Sequence, residues 1–363
     1  MLNILLICRS FFNFQTKDME LKDFSYFLPE ELIAQKPRRQ RDLSRLLVLD
    51  RNEKKIKDFH FFQLPDFLHQ GDVLVINDSK VIPARLFGKK HTGSSVEILL
   101  LVKKEDKKES QKWEVLLKPA KRMHINDMIL MEENCEAKII DRISDKKWLI
   151  EFTTEEGFEK FINRFGHTPL PPYIKRKIND ARNAEDMERY QTIYAKNPGS
   201  IAAPTAGLHF STDVLQALQA KDIQIAPITL HVGVGTFLPI ETQEVEKHVM
   251  EQEFYEISAA SAEKINKAGR VVAVGTTSTR TLESAAGKNR CVQAQSGFTN
   301  LFIYPGYKFK KVDVLLTNFH LPQSSLFLLT CAFAGADFIK SAYQHAVKNR
   351  YHFYSYGDCM LII

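Results

Sequence analysis

Between Met19 and Ile82 the hydrophobic residues form short runs separated by polar turns. The run RLLVLD predicts a strand, and GDVLVIN predicts a second, buried strand after a glycine turn. The segment ELIAQ predicts a short helix. This part of the chain therefore supplies the first elements of a folded domain.

From Pro83 to about Glu155 the pattern changes to short runs rich in strand-forming residues. Clusters of Gly, Asn, Asp or Lys separate these runs at near-regular spacing, which is typical of a small antiparallel barrel. We therefore predict an inserted β-barrel domain over residues 83–155. Its expected strands are ARLFGKK, SVEILLLVKK, KWEVLLKP, DMILM, CEAKIIDR and KWLIEF.

Beyond the proline-rich segment GHTPLPPYI, strand and helix patterns alternate. Ser211 is the expected N-cap of a helix that ends near Lys221, and Gly335 is expected to end a buried helix, SLFLLTCAFAG. The pattern predicts an α/β fold in which a larger, discontinuous α/β domain (19–82 and 156–363) carries the inserted barrel. The remaining expected elements are the strands QIAPITLHV, RVVAVG and VDVLLTNF and the helices AASAEKINKA and TTSTRTLESAA.

The composition is that of a globular protein with about two domains. Among 363 residues, 44% are hydrophobic and 26% are charged, which excludes collagen-like and largely disordered chains. The net charge of +6 permits a polyanionic partner but does not demonstrate one. The five cysteines are scattered and include no C-x-x-C pair, so a cytoplasmic protein without disulfides or a thiolate zinc site is expected.

The first 18 residues, MLNILLICRSFFNFQTKD, have an apolar centre but no basic residue ahead of it and no A-x-A-like cleavage site. We expect a disordered or artefactual leader before Met19 rather than an export signal. No hydrophobic run reaches the roughly 18 residues that a membrane-spanning helix needs, so no membrane partner is expected.

Four segments at predicted strand ends carry residues suited to ligand binding. Ligands of open α/β sheets collect beyond the carboxyl ends of the strands. The junction VGTTSTR (274–280) starts a helix, whose free N–H groups favour an anion. It lacks the dinucleotide and Walker patterns, and a well-capped core helix explains it equally well. The other segments are AAPTAGLHF (202–210), LHVGVGTF (230–237) and LLTNFHLPQSS (315–325).

Three histidines, His209, His231 and His320, lie in these segments and are candidates for proton transfer. A structural role or a His₃ zinc site are the alternatives, but no H-E-x-x-H pattern supports zinc. At the C-terminus, Tyr356 and Asp358 flank a glycine turn, where they either line the site or brace the terminus.

Three basic clusters interleave with proline or an aromatic residue and are suited to following a phosphate backbone. Each one alone is explained equally well by an exposed, solvated surface. Together they make RNA a reasonable partner. The clusters are KPRRQR (36–41), KPAKR (118–122) and YIKRK (173–177), whereas KKEDKK (103–108) is expected to be a hairpin tip.

From about Met19 to Ile363 the chain closely resembles the S-adenosylmethionine:tRNA ribosyltransferase-isomerases, the QueA family of queuosine biosynthesis. One departure is Ser325, where the family pattern carries threonine. The resemblance rests on many long motifs in the same order, among them GDVLVINDSKVIPARL, PLPPYIKR, GSIAAPTAGLHF, LHVGVGTFLPI, VAVGTTSTRTLES, LLTNFHLPQSSL and SYGDCMLI.

The resemblance implies an α/β domain with an inserted barrel and an unusual use of S-adenosylmethionine. Its ribosyl unit passes to 7-aminomethyl-7-deazaguanine at the wobble position of tRNA, which gives epoxyqueuosine and releases adenine and methionine. S-adenosylmethionine is then a cosubstrate, and no metal or permanently bound cofactor is expected. We expect a monomer with tRNA as its macromolecular partner.

The candidate residues fall into three groups by expected role. The three histidines would transfer protons, and Arg280 is expected to receive the methionine carboxylate. Asp78 and Arg85 either contact the deazaguanine or pin the junction between the domains. The cosubstrate group is Thr205, Ala206, Gly207, Phe210, Gly233, Gly275, Thr276, Thr277, Arg280, Thr317 and Asn318, with Phe237 as a further aromatic candidate. The deazaguanine and tRNA group is Asp78, Arg85, Lys118, Arg122, Lys175, Arg176, Tyr356 and Asp358.

Two other functions fit the residues less well. A metal-assisted nucleoside hydrolase would use the three histidines as ligands, and a non-catalytic RNA-binding protein would use the basic clusters alone. The glycine- and threonine-rich turns at the strand ends argue against the second, because a pure RNA-binding module does not need them.

Overall fold

The computed structural model describes residues 19–107, 110–177, 180–236 and 239–363. The expected leader (1–18) and Phe237 lie outside these ranges. In chain order the described strands are β1 (Arg45–Asp50), β2 (Lys55–His60), β3 (Asp72–Asn77), β4 (Ser79–Val81), β5 (Arg85–Lys90), β6 (Ser95–Asp106), β7 (Ser110–Lys118), β8 (Met128–Leu130), β9 (Glu136–Arg142), β10 (Lys147–Thr153), β11 (Asn197–Ser200), β12 (Gln224–Leu230), β13 (Glu253–Ile257), β14 (Arg270–Val274), β15 (Gln295–Thr299), β16 (Val314–Asn318) and β17 (Cys359–Ile362). The α-helices are α1 (Phe158–Phe165), α2 (Asn183–Arg189), α3 (Thr212–Ala220), α4 (Ala259–Lys267), α5 (Gly275–Ala285), α6 (Ser325–Ala334) and α7 (Ala336–Lys348).

A nine-stranded mixed sheet, in the order β15-β13-β12-β3-β14-β16-β17-β1-β2, forms the centre of the larger domain. Its four middle strands, β12, β3, β14 and β16, run parallel to their neighbours within this group. Every residue of β3 and of β16 is buried, as expected for strands covered on both faces. The flanking strands β13, β15 and β2 pair antiparallel, as do β16 and β17. The predicted α/β fold is confirmed.

Alternate residues of the middle strands point into two separate cores. Val73, Val75 and Ala273 pack into one core together with residues of α4, α6 and α7. Leu74 and Val272, on the opposite face, pack into a second core with residues of α3. This alternation follows from the two-residue period of a strand. Helices therefore cover both faces, which leaves the strand ends as the open edge.

The inserted domain is a closed six-stranded antiparallel barrel in the order β10-β7-β6-β5-β8-β9. The buried residues of β7 and β10 alternate with partly exposed ones, because one face of each strand lines the barrel core. All six strands lie where the hydrophobic runs predict them. The barrel is confirmed as part of the fold, while the domain limits 83–155 stay a prediction.

A small parallel pair, β4 with β11, joins the barrel to the larger domain. Ile201, just after β11, and Val234, after β12, pack into the barrel core. The loops that follow β11 and β12 therefore lie between the two domains, next to the open edge of the large sheet.

The helix ends agree with the chemistry of their caps. The Ser211 hydroxyl accepts a hydrogen bond from the Val214 N–H at 3.2 Å and caps α3. Ser324 caps α6 by accepting from the Phe327 N–H at 3.2 Å. Gly335 ends α6 with a φ of 93°, a conformation that favours glycine. The helix predicted from ELIAQ is only a 3₁₀ turn at Glu30–Leu32.

Within the described residues, no single helix is both long enough and apolar enough to cross a bilayer. The helices α6 and α7 reach the required length and composition only as a pair, with a bend of 114° between them.

Candidate active site

The candidate residues converge because several strands end at the same edge of the sheet. Since β3, β12, β14 and β16 are parallel, their carboxyl ends meet there. The strand β13 is antiparallel to β12 and β17 is antiparallel to β16, so the first residues of β13 and β17 reach the same edge. This topology gathers residues that are far apart in the sequence, as in other open α/β sheets.

A cleft with a volume of about 410 Å³ opens at this edge. It is floored by the start of α5 and walled by the loop after β11 and the loop after β16. The predicted residues that line it are Thr205, Ala206, Gly275, Thr276, Thr277, Thr317, Asn318 and His320, joined by Tyr173, Ala203, Pro204 and Val232, which were not predicted. The sequence signal for Tyr173 is the PPYIKR motif, in which it is the aromatic residue next but one to the basic pair Lys175 and Arg176.

The N-terminus of α5 presents polar groups to this cleft. Gly275 has a φ of 86°, which allows β14 to turn directly into the helix. No side chain caps this helix, so its first N–H groups face the cleft without a side-chain partner. The hydroxyl oxygen of Thr277 and the amide oxygen of Asn318 are buried in the described structure with no hydrogen-bond partner. Buried polar atoms of this kind are normally satisfied, so their position in a cleft points to a ligand.

His320 lines the cleft and is only 7% exposed. Its Nε2 lies 2.8 Å from the Thr317 hydroxyl, and its backbone N–H donates to the Tyr343 hydroxyl at 2.9 Å. Burial lowers the pKa of His320 to about 3, so its imidazole is neutral at physiological pH.

His209 lies behind the cleft rather than in it. Its Nε2 is 3.0 Å from the amide nitrogen of Asn318, and its ring packs beside Phe61 with centroids 5.3 Å apart. Burial is the main cause that lowers the pKa of His209 to about 4. Because Asn318 lines the cleft, His209 contacts the site through this amide.

His231 is half-buried and lies to one side of the cleft. Its Nδ1 is 2.9 Å from the Ser79 hydroxyl, and its ring stacks on Phe254 at 5.7 Å. A Cβ on Gly199 would come within 2.8 Å of this ring, so the close approach requires glycine. Burial lowers the pKa of His231, and the charges of Asp78 and Glu256 partly oppose this effect.

Arg280 is buried on the far side of α5 and makes an ion pair with Glu253, the first residue of β13. Its Nε donates to the Leu301 carbonyl at 3.0 Å, and Glu253 also accepts from the Gly233 N–H at 3.0 Å. The guanidinium is thus directed at Glu253 instead of the cleft. One guanidinium nitrogen, Nη2, is buried with no hydrogen-bond partner in the described structure, and Arg280 is not among the residues that line the cleft. No sequence motif marked Glu253, because its role depends on where β13 begins.

The other glycine and aromatic candidates have packing roles. A Cβ on Gly207 would lie 2.1 Å from the Tyr194 hydroxyl oxygen, so this loop needs glycine for close packing. Phe210 is fully buried and packs edge-on against Phe61 at 5.0 Å, which places it in the core below the sheet. The aromatic side chain that lines the cleft is Tyr173.

Asp78 and Arg85 are engaged at the junction of the domains. The Asp78 carboxylate accepts from the Thr229 hydroxyl at 2.7 Å and from the Asn197 amide at 3.1 Å, which ties β12 to β11. Arg85 donates to the Leu170 carbonyl at 2.9 Å, and its guanidinium lies 3.2 Å from Glu97. Both residues therefore make contacts that hold the junction of the domains together, which is one of the two roles expected for them.

The four basic candidates for tRNA contact divide into exposed and buried ones. Lys118 and Arg122 are exposed on the barrel, and Lys175 is exposed beside Glu30. Arg176 is instead buried in an ion pair with Asp186, with a distance of 2.5 Å from Nε to the carboxylate. Its remaining nitrogens donate to the backbone carbonyls of Gln35 and Lys175. This guanidinium stabilises the fold and has no free edge for a phosphate.

Tyr356 and Asp358 brace the C-terminal strand from inside. The Tyr356 hydroxyl donates to Asp186 at 2.8 Å. The fully buried Asp358 accepts from Arg38 at 2.8 Å and from the backbone N–H of Arg45 and of His352, each at 2.8 Å. Burial alone would raise the pKa of Asp358, but these hydrogen bonds and the charge of Arg38 lower it overall.

Among the described residues, no group of three or more His, Cys, Asp or Glu side chains lies close enough together to hold a metal ion. The three histidines considered for a His₃ zinc site contact different residues: His320 contacts Thr317, His209 contacts Asn318 and His231 contacts Ser79.

Comparisons with known proteins agree with this geometry. The model of the family described as queuosine biosynthesis protein matches residues 21–362. An S-adenosylmethionine:tRNA ribosyltransferase-isomerase from Syntrophus aciditrophicus is 56% identical, with 95% of this chain and 100% of the relative aligned. One from Natranaerobius thermophilus is 48% identical, over 95% of this chain and 99% of the relative.

The crystal structure of S-adenosylmethionine tRNA ribosyltransferase from Thermotoga maritima is also similar. It has 34% sequence identity and a TM-score of 0.52, and the match covers 94% of this chain and all of the other. The similarity in sequence and in fold thus extends over nearly the whole chain. The chain belongs to the queuosine biosynthesis protein family, the S-adenosylmethionine:tRNA ribosyltransferase-isomerases.

Proposed function

We propose that this chain transfers the ribosyl unit of S-adenosylmethionine to 7-aminomethyl-7-deazaguanine at the wobble position of tRNA. The products are epoxyqueuosine-tRNA, adenine and methionine. The observation that carries this proposal is the cleft at the open sheet edge, where an uncapped helix N-terminus meets two buried, unpartnered polar atoms. Family membership supplies the substrates by analogy with the named activity of the relatives.

The N-terminus of α5 is our candidate for the carboxylate of the methionine moiety. The partial positive charge and free N–H groups of a helix start favour an anion. The Thr277 hydroxyl, which is buried in the same place, would donate a hydrogen bond to this carboxylate. In this arrangement Arg280 is a positioning residue, since it holds Glu253 and through it the Gly233 N–H.

His320 is our candidate for proton transfer within the cleft. A sulfonium acidifies the adjacent 5′ carbon of the ribose, so a base must take a proton from it before the sugar can be transferred. Of the three histidines, His320 is the one that lines this cleft. It is neutral at physiological pH, the form in which an imidazole accepts a proton, and the burial that keeps it neutral also makes it a weaker base than an exposed histidine. We assign His209 to positioning through Asn318 and His231 to positioning through Ser79.

S-adenosylmethionine enters this scheme as a cosubstrate, and the proposal requires neither a metal nor a resident cofactor. The tRNA substrate implies that the protein acts in the cytoplasm. We propose a monomer as the active form.

The direct test incubates the purified protein with S-adenosylmethionine and tRNA that carries 7-aminomethyl-7-deazaguanine. Nucleoside mass spectrometry should show the mass of epoxyqueuosine, and adenine should appear in equal amount, while omission of either substrate abolishes the product. Adenine release without tRNA and with sensitivity to a chelator would indicate a metal-assisted hydrolase instead. Binding of tRNA without any adenine release would indicate a non-catalytic protein.

The variant Thr277→Val tests the carboxylate site. It keeps the shape of the side chain but removes the hydroxyl, so we expect the dissociation constant for S-adenosylmethionine to rise about tenfold, in line with the loss of one hydrogen bond to a charged group. The matched control is Thr281→Val, one turn further along α5, where the hydroxyl is buried but lies outside the lining of the cleft. Calorimetric titration that gives equal affinities for both variants would refute the assignment.

A further inference from the structure

A second cleft, with a volume of about 280 Å³, opens beside the first and is rich in arginine. Arg38 and Arg41 come from the basic cluster of residues 36–41, and Arg189 comes from the last turn of α2. The other lining residues are Pro37, Ser44, Leu208, His209, Ser355, Tyr356 and Gly357. Its arginines are brought together by the fold and are not contiguous in the sequence.

This cleft carries a net positive charge, because its three arginines outnumber the carboxylates that act on them. Arg38 makes an ion pair with Asp358. Among the described residues, this is the one ion pair between an arginine of the cleft and a carboxylate. Arg41 donates to the carbonyls of Leu208 at 3.1 Å and Glu188 at 3.4 Å. These bonds occupy two of its five N–H groups. Arg41 and Arg189 therefore make no direct ion pair with a carboxylate among the described residues, although the charge of Glu188 also acts on Arg41.

Arg189 is held in the same way, through backbone carbonyls. It donates to Arg38 at 2.6 Å and to Arg39 at 3.3 Å, while its Nε is buried with no partner in the described structure. Burial is the larger cause that lowers the pKa of Arg41, and the charge of Arg189 lowers it further, so the two like charges act on each other. Guanidiniums in such a position are stabilised by an anion that binds between them.

The two clefts share a wall. His209 lines the arginine-rich cleft, and its Nε2 is 3.0 Å from Asn318, which lines the first cleft. Ser355 lines the arginine-rich cleft and also a shallow extension of the first one that includes His320. If one nucleotide of an RNA strand lies in the first cleft, the neighbouring part of the strand therefore lies close to these arginines.

We propose that the arginine-rich cleft binds a backbone phosphate of the RNA strand next to the nucleotide that is modified. Arginine suits this role because its planar guanidinium offers paired N–H groups that match phosphate oxygens. Phosphate contacts of this kind fix the register of a strand without reading its sequence. The amine of the modified base would then be held at the first cleft, so this inference rests on the proposed function.

The test measures the binding of a tRNA transcript by fluorescence polarisation between 50 and 200 mM salt, with wild-type protein, Arg41→Gln and Arg41→Lys. We expect Arg41→Gln to weaken tRNA binding about tenfold and to reduce the slope of log affinity against log salt by about 1, because one phosphate contact is lost. Arg41→Lys keeps the charge and should restore the slope and most of the affinity. The affinity for S-adenosylmethionine should change less than about twofold in all three proteins, because it belongs to the other cleft.

Arg39→Gln is the matched control, since Arg39 is an exposed arginine of the same segment that does not line the cleft. An equal loss of affinity in Arg39→Gln and Arg41→Gln would overturn the proposal and indicate a diffuse charge effect. Wild-type affinity and slope in Arg41→Gln would overturn it as well. If Arg41→Gln also loses S-adenosylmethionine binding through misfolding, Arg189→Gln decides, because Arg189 lines the same cleft: a slope reduced by about 1 supports the proposal, and a wild-type slope overturns it. The transcript binds without reacting, so a failure of ribosyl transfer in the wild type would refute the proposed function separately.

Discussion

At the scale of single residues, the three histidines differ in how deeply they are buried and therefore in when they carry charge. His320 and His209 have pKa values lowered to about 3 and about 4 by burial, and that of His231 is also lowered. All three are neutral at physiological pH. The site thus meets its cationic cosubstrate without adding a further positive charge from imidazole, which would repel a sulfonium.

The same shift makes the stability of the protein depend on pH. An unfolded histidine titrates near its ordinary pKa of 6.5, whereas folded His320 titrates at about 3, so the unfolded chain binds the additional proton between these values. Stability contributed by neutral His320 is therefore complete above pH 6.5 and is lost as the pH falls, by about 1.4 kcal/mol per unit. Between pH 7 and 5 we expect His320 to account for about 2 kcal/mol of lost stability.

The variant His320→Gln removes this titration, so its free energy of unfolding should depend less steeply on pH than that of the wild type. Urea unfolding at pH 7, 6 and 5 measures the slope. His124→Gln, which replaces an exposed histidine of the barrel, is the control and should keep the wild-type slope. Parallel curves for His320→Gln and the wild type would show that His320 is not neutral and buried in the folded state.

At the scale of secondary-structure elements, α5 both lines the cleft with its first turn and holds the segment before β16 by hydrogen bonds. Its first turn faces the cleft, while Glu283, near its C-terminus, is fully buried. The Glu283 carboxylate accepts the backbone N–H groups of Lys310 at 2.7 Å, Lys311 at 2.9 Å and Val312 at 3.0 Å. It also accepts the Tyr307 hydroxyl at 3.1 Å. This side chain holds the segment before β16 against the helix.

Replacing this carboxylate with an amide should be costly. In Glu283→Gln one oxygen becomes an NH₂ group, which would face backbone donors and leave at least one of them unsatisfied. We expect the free energy of unfolding to fall by about 3 kcal/mol, because hydrogen bonds to a buried charge are lost. The control Glu263→Gln changes an exposed glutamate that pairs with Lys267 on α4, and it should leave the free energy of unfolding close to that of the wild type. Similar losses in the two variants, measured by urea unfolding, would contradict this role of Glu283.

Elements with a strong local pattern are predictable from the sequence. The strands β3, β14 and β16 are short apolar runs buried on both faces, and the six barrel strands alternate between core and solvent. The strands β2 and β15 were not predicted, because they are edge strands with mostly exposed residues and little apolar signal. The helix α7 was not predicted, because Gly335 reads as a helix end in the sequence, whereas in the structure it both ends α6 and begins α7.

The candidate site was predictable only in part, for a related reason. Residues at the ends of parallel strands, such as Thr277 and Asn318, are expected near one another once the strands are recognised. The partners of Arg280 and Arg176 were not, because Glu253 and Asp186 reach them through tertiary packing. Charge alone does not tell a buried arginine that stabilises the fold from an exposed one that is available to RNA.

At the scale of the whole molecule, the two clefts and the barrel lie around the junction between the domains. The barrel core includes Ile201 and Val234, which follow β11 and β12 of the larger domain. The barrel therefore stands beside the open sheet edge, where it can contact a large substrate whose reacting nucleotide lies in the cleft. Lys118 and Arg122 are exposed basic residues of the barrel, and neither has an ion pair among the described residues.

We expect these two residues to contribute to tRNA binding through phosphate contacts. The double variant Lys118→Gln/Arg122→Gln should lower the affinity for a tRNA transcript and reduce the slope of log affinity against log salt by about 2, because each lost phosphate contact removes about 1 from this slope. The affinity for S-adenosylmethionine, for which we propose the cleft of the larger domain, should not change. Fluorescence polarisation and calorimetry measure the two affinities separately.

The matched control for this prediction is Lys103→Gln/Lys107→Gln, which removes the same charge at the other end of β7. There the two lysines already pair with Asp106 and Glu105, so their charges are partly neutralised and less available to a phosphate. We expect this control to keep most of the wild-type salt slope. If both double variants lose affinity equally, the barrel attracts tRNA only through its overall charge. If neither does, tRNA binds through the larger domain, and the arginine-rich cleft would then account for more of the salt dependence.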